Sequence, residues 1–320
     1  MKRVLVADPR GFCAGVERAI ATVRTALAAY GPPIYVRKHI VHNAHVVIDL
    51  EAEGAIFVES EIDVPEGATL VLAAHGVEPS VYRAASTGRL RTIDATCPLV
   101  QKVHIEVRRF AAAGYTVVLI GHAGHDEVIG TMGQAPGSVL LVETAGQARA
   151  LSVPQAQRLA YVTQTTLSVD ETSEIIAILR ERFPGIVGPR KDDICYATTN
   201  RQSAVKRMLP EIDALLVVGS SESSNSRRLV ETARAGGVPT WLVEDETELD
   251  EDDLAAYGTV GVTAGASTPE RLVLDVCRWF RERGVTDIAT FGDEPPENVF
   301  FRLPAELLRD GARSQAGSSR

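Results

Sequence analysis

The sequence predicts an α/β protein of three related α/β modules with mostly parallel sheets, set around a pseudo-threefold axis with one central cavity. Three observations carry this prediction. Cys13, Cys97 and Cys195 each stand just ahead of a helical pattern, in GFCAGVERAI, DATCPLVQKVH and DDICYATTNR. Each is followed by a strand that ends in a polar loop, where His42, His125 and Ser224 lie 29, 28 and 29 residues after their cysteines. A short strand ending in Val-Glu comes next (FVES, LVET, LVED), then a last strand opening into a small polar loop at His75, Thr165 or Ser267. Four landmarks in one order, three times over, mark an internal repeat.

The elements follow in order. Helix one has Val16, Ala19, Ile20, Val23 and Leu27 at helical spacing and stops at Gly31-Pro32-Pro33. Its counterpart after Cys97 starts on Pro98, a favoured first helical residue, and runs through Val100, Val103, Val107 and Phe110 to Gly114. The third has a polar start, then Ala204, Val205 and Met208, and halts at Pro210. Apolar strands alternating with helices indicate parallel sheets covered on both faces, whose ligands bind beyond the carboxyl ends of the strands. The expected division is 1–90, 91–188 and 189–290, with 291–320 as a C-terminal extension. Within that extension ENVFFRLPAELL is expected to dock on the body and the final Gly/Ser/Arg stretch to be disordered.

Composition narrows the class. With 45% apolar and 23% charged residues the chain resembles a soluble globular protein. A net charge of −9 argues against nonspecific nucleic-acid binding. MKRVLVADPR lacks the apolar core of a signal peptide, and no apolar run of about 18 residues occurs, so no membrane segment is expected. Four widely spaced cysteines do not form a small disulfide framework, and the chain reads as cytoplasmic with reduced thiols.

A thiolate at a helix N-terminus is stabilised by the helix dipole and free N–H groups, which favours metal ligation by Cys13, Cys97 and Cys195. Cys277, in RLVLDVCRWF, reads as a core residue. Three thiols without a spaced fourth ligand fit a [4Fe–4S] cluster with one iron free of protein ligands. A Cys3His zinc site is the rival, with His42, His75 or His125 as the fourth ligand. The strand-end loops carry neutral donors: His42, Asn43, His75, His122, His125, Thr163, Gln164, Thr165, Thr166, Ser223, Ser224, Asn225 and Ser267. Such donors, with helix N-termini after SSNS and GAST, suit a phosphate or diphosphate, and protonated histidines could add positive charge. No GxxxxGK[ST] loop is present, which argues against ATP handling. In GHAGHDEV, Asp126 and Glu127 stand beside two histidines, and a buried carboxyl there becomes a usable proton donor. Glu59, Glu143 and Glu244 read as structural, and His39, His45 and His104 as surface or packing residues.

RGFCAGVERAI, HNAHVV, AHGV, DATCPLVQKVH, GHAGHDEVIGTMGQ, TQTTLSVDET, GPRKDDICYATTNRQ, SSNSRRL and VTAGAS together resemble the 4-hydroxy-3-methylbut-2-enyl diphosphate reductases, from about residue 3 to 285. These are iron–sulfur enzymes of the non-mevalonate isoprenoid pathway. The resemblance implies that Cys13, Cys97 and Cys195 hold a [4Fe–4S] cluster. It implies that His42, His75, His125, Ser223, Ser224, Asn225 and Ser267 bind the diphosphate. Glu127 would donate a proton, with Thr165 touching the substrate hydroxyl. The implied reaction is a two-electron reductive dehydroxylation of an allylic diphosphate to isopentenyl and dimethylallyl diphosphate, with ferredoxin or flavodoxin as electron donor. A non-redox hydro-lyase and a zinc-held phosphate-binding module are the alternatives. Two positions depart from the family pattern: Asp126 where proline is common, and Glu222 where asparagine is common.

Overall fold

The computed structural model describes residues 2–153, 158–292 and 297–308. Its strands form three sheets, and every pairing between them is parallel among the described residues. The first sheet has the spatial order Ala55–Val58, Ile34–Arg37, Thr69–Leu72, Arg91–Asp94. The second has Val139–Val142, Thr116–Ile120, Leu159–Thr163, and the third Thr240–Val243, Ala214–Val218, Thr259–Ala264, Arg3–Ala7, Asp287–Phe291. The three α/β modules expected from the repeat are therefore present. Their inner strands are near-continuous apolar runs because both faces are covered: Thr69–Leu72, Leu159–Thr163 and Ala214–Val218 are buried throughout. Each sheet has a core cluster on each side.

One arrangement is not legible from the repeat. Within each module the second strand lies at one edge, the first next to it and the last beyond. The position after that is filled by the stretch leading to another module's cysteine. Arg91–Asp94, which leads to Cys97, completes the first sheet. Val187, ahead of Cys195, bridges Ala160 in the second, where Tyr161 N–H donates to its carbonyl at 2.9 Å. Arg3–Ala7, ahead of Cys13, pairs with Thr259–Ala264 in the third and closes the ring. A division at 90, 188 and 290 remains our proposal for the repeat unit, with Arg91–Asp94 and Arg3–Ala7 crossing it and Val187 at the end of the second unit.

The cysteine helices are Ala14–Tyr30, Pro98–Ala112 and Tyr196–Met208. Their buried faces match the apolar spacing, apart from Leu27, which is partly buried. The first ends at Gly31, whose φ of 75° lies in the left-handed region that glycine adopts without strain. Leu307 packs into the first module's core beside Phe12 and Cys13, so the ENVFFRLPAELL segment does dock. The Gly/Ser/Arg end lies outside the described residues. Among the described residues no helix is long and apolar enough to cross a membrane.

Trp241 and Trp279, the chain's two tryptophans, both pack against the third module's core, so fluorescence reports that module. Phe280 is fully buried on helix Glu270–Glu282, whereas Leu274 on the same helix is 53% exposed. Phe280→Ala is expected to cost about 3–5 kcal/mol in urea unfolding followed by fluorescence. Leu274→Ala should stay within about 0.5 kcal/mol of the parent.

Candidate active site

The cysteines come first, because they fix the centre. Each is the N-cap of its helix, as the sequence predicts. Each is held from behind by a backbone bond to the final strand-end loop of the module whose sheet its lead strand completes. Cys97 N–H donates to Ala74 O at 2.9 Å, Cys195 N–H to Thr165 O at 3.0 Å and Cys13 N–H to Ala266 O at 3.2 Å. The three side chains line one cavity, and all are free thiols. Burial raises all three thiol pKa values, that of Cys97 to about 12 and that of Cys195 to about 11. Charge on Cys13 adds to the rise at Cys97 and Cys195. Helix dipoles alone therefore do not hold these groups as thiolates, and a cation at the centre would. Gly15 leaves the sulfurs uncrowded: a Cβ there would stand 2.8 Å from Cys97 Sγ and 3.7 Å from Cys13 Sγ. Donor type, convergence and the lack of a side chain at Gly15 fit a thiolate-held metal or cluster. Cys277 is buried in the third module's core and lies apart from the cavity.

Glu127 and Thr165 form the second layer. Glu127 is 2% exposed and sits in the first turn of helix Asp126–Met132. Its carboxylate accepts from Thr165 N–H at 2.7 Å through Oε1, and pairs with Thr165 Oγ1 at 3.0 Å through Oε2. Burial pushes its pKa up to about 7, against the lowering effect of those two bonds. A carboxyl half-protonated near neutral pH, bonded to a hydroxyl facing the cavity, can pass a proton inward.

The diphosphate candidates form the third layer, each at a strand's carboxyl end. His42 and His75 are stacked with ring centroids 4.0 Å apart, and His125 stands edge-on at 5.3 and 5.8 Å. Both ring nitrogens of His42 and Nδ1 of His75 are buried without a protein partner. His125 Nδ1 accepts from Glu127 N–H at 3.1 Å, which leaves its Nε2 to carry the proton. Burial lowers the pKa of all three, repulsion from neighbouring imidazoles adds to this at His75 and His125, and His125 falls to about 4. Burial thus favours the neutral imidazoles, and an anion among them would favour the positive form that the sequence allows. Ser223 caps helix Ser224–Ala235. Ser267 Oγ donates to His42 O at 3.0 Å, and Asn225 Oδ1 accepts from Ala266 N–H at 2.9 Å. All twelve candidates named from the resemblance line this one cavity. Of the other loop donors Thr166 also lines the cavity, whereas Asn43 caps helix Ala44–Ala52, Gln164 ties His122 N–H to Ser224, and His122 faces an outer cleft.

That outer cleft shares His42 and His125 with the cavity and carries Lys38, Arg227 and Arg228. The two departures from the family pattern both fall here, and each is paired with the first module. Lys38 Nζ bonds Asp126, and His39 Nδ1 lies 3.5 Å from Glu222 Oε2.

The LytB protein family pattern matches residues 4–281. The chain belongs to the LytB family. It is 56% identical over 310 residues (97% of this chain, 91% of the relative) to a protein of Acidothermus cellulolyticus named 4-hydroxy-3-methylbut-2-enyl diphosphate reductase. A Mycobacterium leprae protein of the same name is 53% identical over 307 residues, covering 96% of this chain and 92% of the relative. Among solved structures, the E-1-hydroxy-2-methyl-but-2-enyl-4-diphosphate reductase from Plasmodium falciparum superposes with a TM-score of 0.93. It shares 39% identity, covering 98% of this chain and 99% of that one.

Several residues of the LytB site carry no repeat signal. Gly15 shows only as a small residue after a cysteine. Thr198 bonds Cys195 Sγ through Oγ1 at 3.2 Å and through N–H at 3.4 Å, while accepting from Asn225 Nδ2 at 3.2 Å. Its position, three residues into a helix from an N-cap, was the available clue.

Two outcomes follow. Gly15→Ala should leave the metal-free fold and melting temperature unchanged, since the Cys97 sulfur can swing aside. Iron retained per chain after anaerobic reconstitution should fall, because the displaced sulfur no longer converges with the others. Glu127 is protonated more readily folded than unfolded, so it contributes stability at low pH that is lost as pH rises from about 4.5 through about 7. The depressed histidines act in the opposite sense, gaining stability as pH rises toward 6.5. Removing the carboxyl in Glu127→Gln should therefore make stability rise more steeply with pH between 5 and 7. Equal slopes in denaturation series would show that Glu127 ionises normally.

Proposed function

We infer that the protein is an oxidoreductase that reductively dehydroxylates (E)-4-hydroxy-3-methylbut-2-enyl diphosphate to isopentenyl and dimethylallyl diphosphate. The observation that carries this reading is the single cavity in which three cysteines, the Glu127–Thr165 pair and an unpartnered histidine cluster meet. The relatives' names supply the substrate.

Cys13, Cys97 and Cys195 are the residues to hold a [4Fe–4S] cluster, which when bound supplies electrons and one iron without a protein ligand. The diphosphate is taken by His42, His75, His125, Ser223, Ser224, Asn225 and Ser267, neutral donors that match its acceptor oxygens. Binding brings negative charge to buried imidazoles and raises their pKa toward protonation. Anchoring this end places the allylic hydroxyl toward Thr165. Glu127 gives a proton through the Thr165 hydroxyl to that oxygen, which departs as water. Two electrons and a second proton, delivered to either end of the allyl unit, complete the balance. The electrons come from an external carrier of the ferredoxin or flavodoxin class, and a cytoplasmic setting suits such a carrier and reduced thiols.

Anaerobic purification tests the centre: about four iron and four sulfide per chain are expected. A colourless zinc-loaded protein would overturn the reading, and turnover without consumption of reductant would make it a hydro-lyase. Glu127→Gln should retain iron and bind substrate while losing turnover by about 10²–10⁴-fold. Near-parental turnover in that variant would remove Glu127 from the proton path.

A further inference from the structure

The C-terminal segment 297–308 lies outside the residues matched by the family pattern, 4–281, yet it is fastened around the cysteines. Its first anchor is Glu297, whose carboxylate accepts from Arg201 Nη1 at 3.2 Å and Asn200 Nδ2 at 2.9 Å. Arg201 is 1% exposed, and its guanidinium also donates to Gly11 O at 2.7 Å and Phe12 O at 3.2 Å, just ahead of Cys13. Arg18 provides the second anchor, donating through Nε to Arg302 O at 2.7 Å and through Nη1 to Ala95 O and Thr96 O at 3.0 Å, just ahead of Cys97. The third is Leu307, 5% exposed in the first module's core. Between these anchors Phe301 lines the cavity, while its neighbour Phe300 is 83% exposed.

We propose that this segment is a fixed wall of the metal cavity, in which Phe301 excludes water and iron-binding solutes from the metal centre. The proposal rests on the iron–sulfur reading of the three cysteines. A metal with one position free of protein ligands is open to any small ligand that reaches it. An aromatic ring in the cavity wall narrows that route without taking a coordination position. Two buried arginines tie the Glu297 side chain and the Arg302 carbonyl, on either side of the ring, to the segments carrying the cysteines, so the wall and the ligands keep one geometry.

The test uses reconstituted holoprotein under anaerobic conditions with EDTA added, following decay of the cluster's visible absorption. Phe301→Ala is expected to lose its cluster several-fold faster than the parent, and Phe301→Leu to lie close to the parent because bulk is retained. Glu297→Gln, which alters an anchor and leaves the ring in place, should also accelerate loss. Phe300→Ala should decay at the parental rate. Equal rates for Phe301→Ala and the parent overturn the inference alone. Equal acceleration by Phe300→Ala and Phe301→Ala also overturns it, because it reports a loosened segment and not a missing wall. A parent chain that takes up no cluster overturns the functional reading and this inference together.

Discussion

The architecture depends on a ring of three backbone hydrogen bonds. Each cysteine N–H is held by a carbonyl of a loop in the module whose sheet its lead strand completes. A helix N-terminus has donors without intrahelical partners, and here one finds its acceptor on a neighbouring module. The sulfur positions therefore follow from how the modules meet. Since the first sheet takes Arg91–Asp94 from the second module and the third takes Arg3–Ala7 from the first, the sheets are completed across modules, and the centre exists only when all three are assembled. That explains why thiols far apart in sequence converge without a local binding motif.

Burial is the dominant electrostatic effect at this centre. It pushes thiols and the Glu127 carboxyl up and imidazoles down, in every case toward the neutral form. The cavity is consequently organised to receive charge. A metal cation would stabilise thiolates on one side, and an anion would stabilise imidazolium on the other. Glu127 lies between, near its own midpoint at neutral pH. A proton donor there stays responsive to what binds, which a solvent-exposed carboxylate would not.

Much of this was readable in the sequence, for a physical reason. Repeat offsets preserve the position of loops relative to strands, and in parallel α/β sheets those loops share one end. Cys13, Cys97, Cys195, the three histidines, Thr165, the Ser/Asn loop and Ser267 were found that way. Strand exchange was hidden because pairing partners leave no local pattern. Gly15 and Phe301 were hidden because their roles come from distant neighbours: a sulfur 82 positions further along the chain and a cavity built from three modules. The effect of burial on the histidines was hidden because a sequence does not show that three imidazoles will be packed against one another.

Lys38 and His39 are consecutive residues, and each reaches a different module: one meets Asp126 in the second, the other Glu222 in the third. Lys38 itself sits at a φ of 54°, a conformation disfavoured for a non-glycine residue, so the turn is held in a narrow shape. The two acidic departures from the family pattern thereby give one turn of the first module a contact with each of the other two modules, at the rim of the outer cleft.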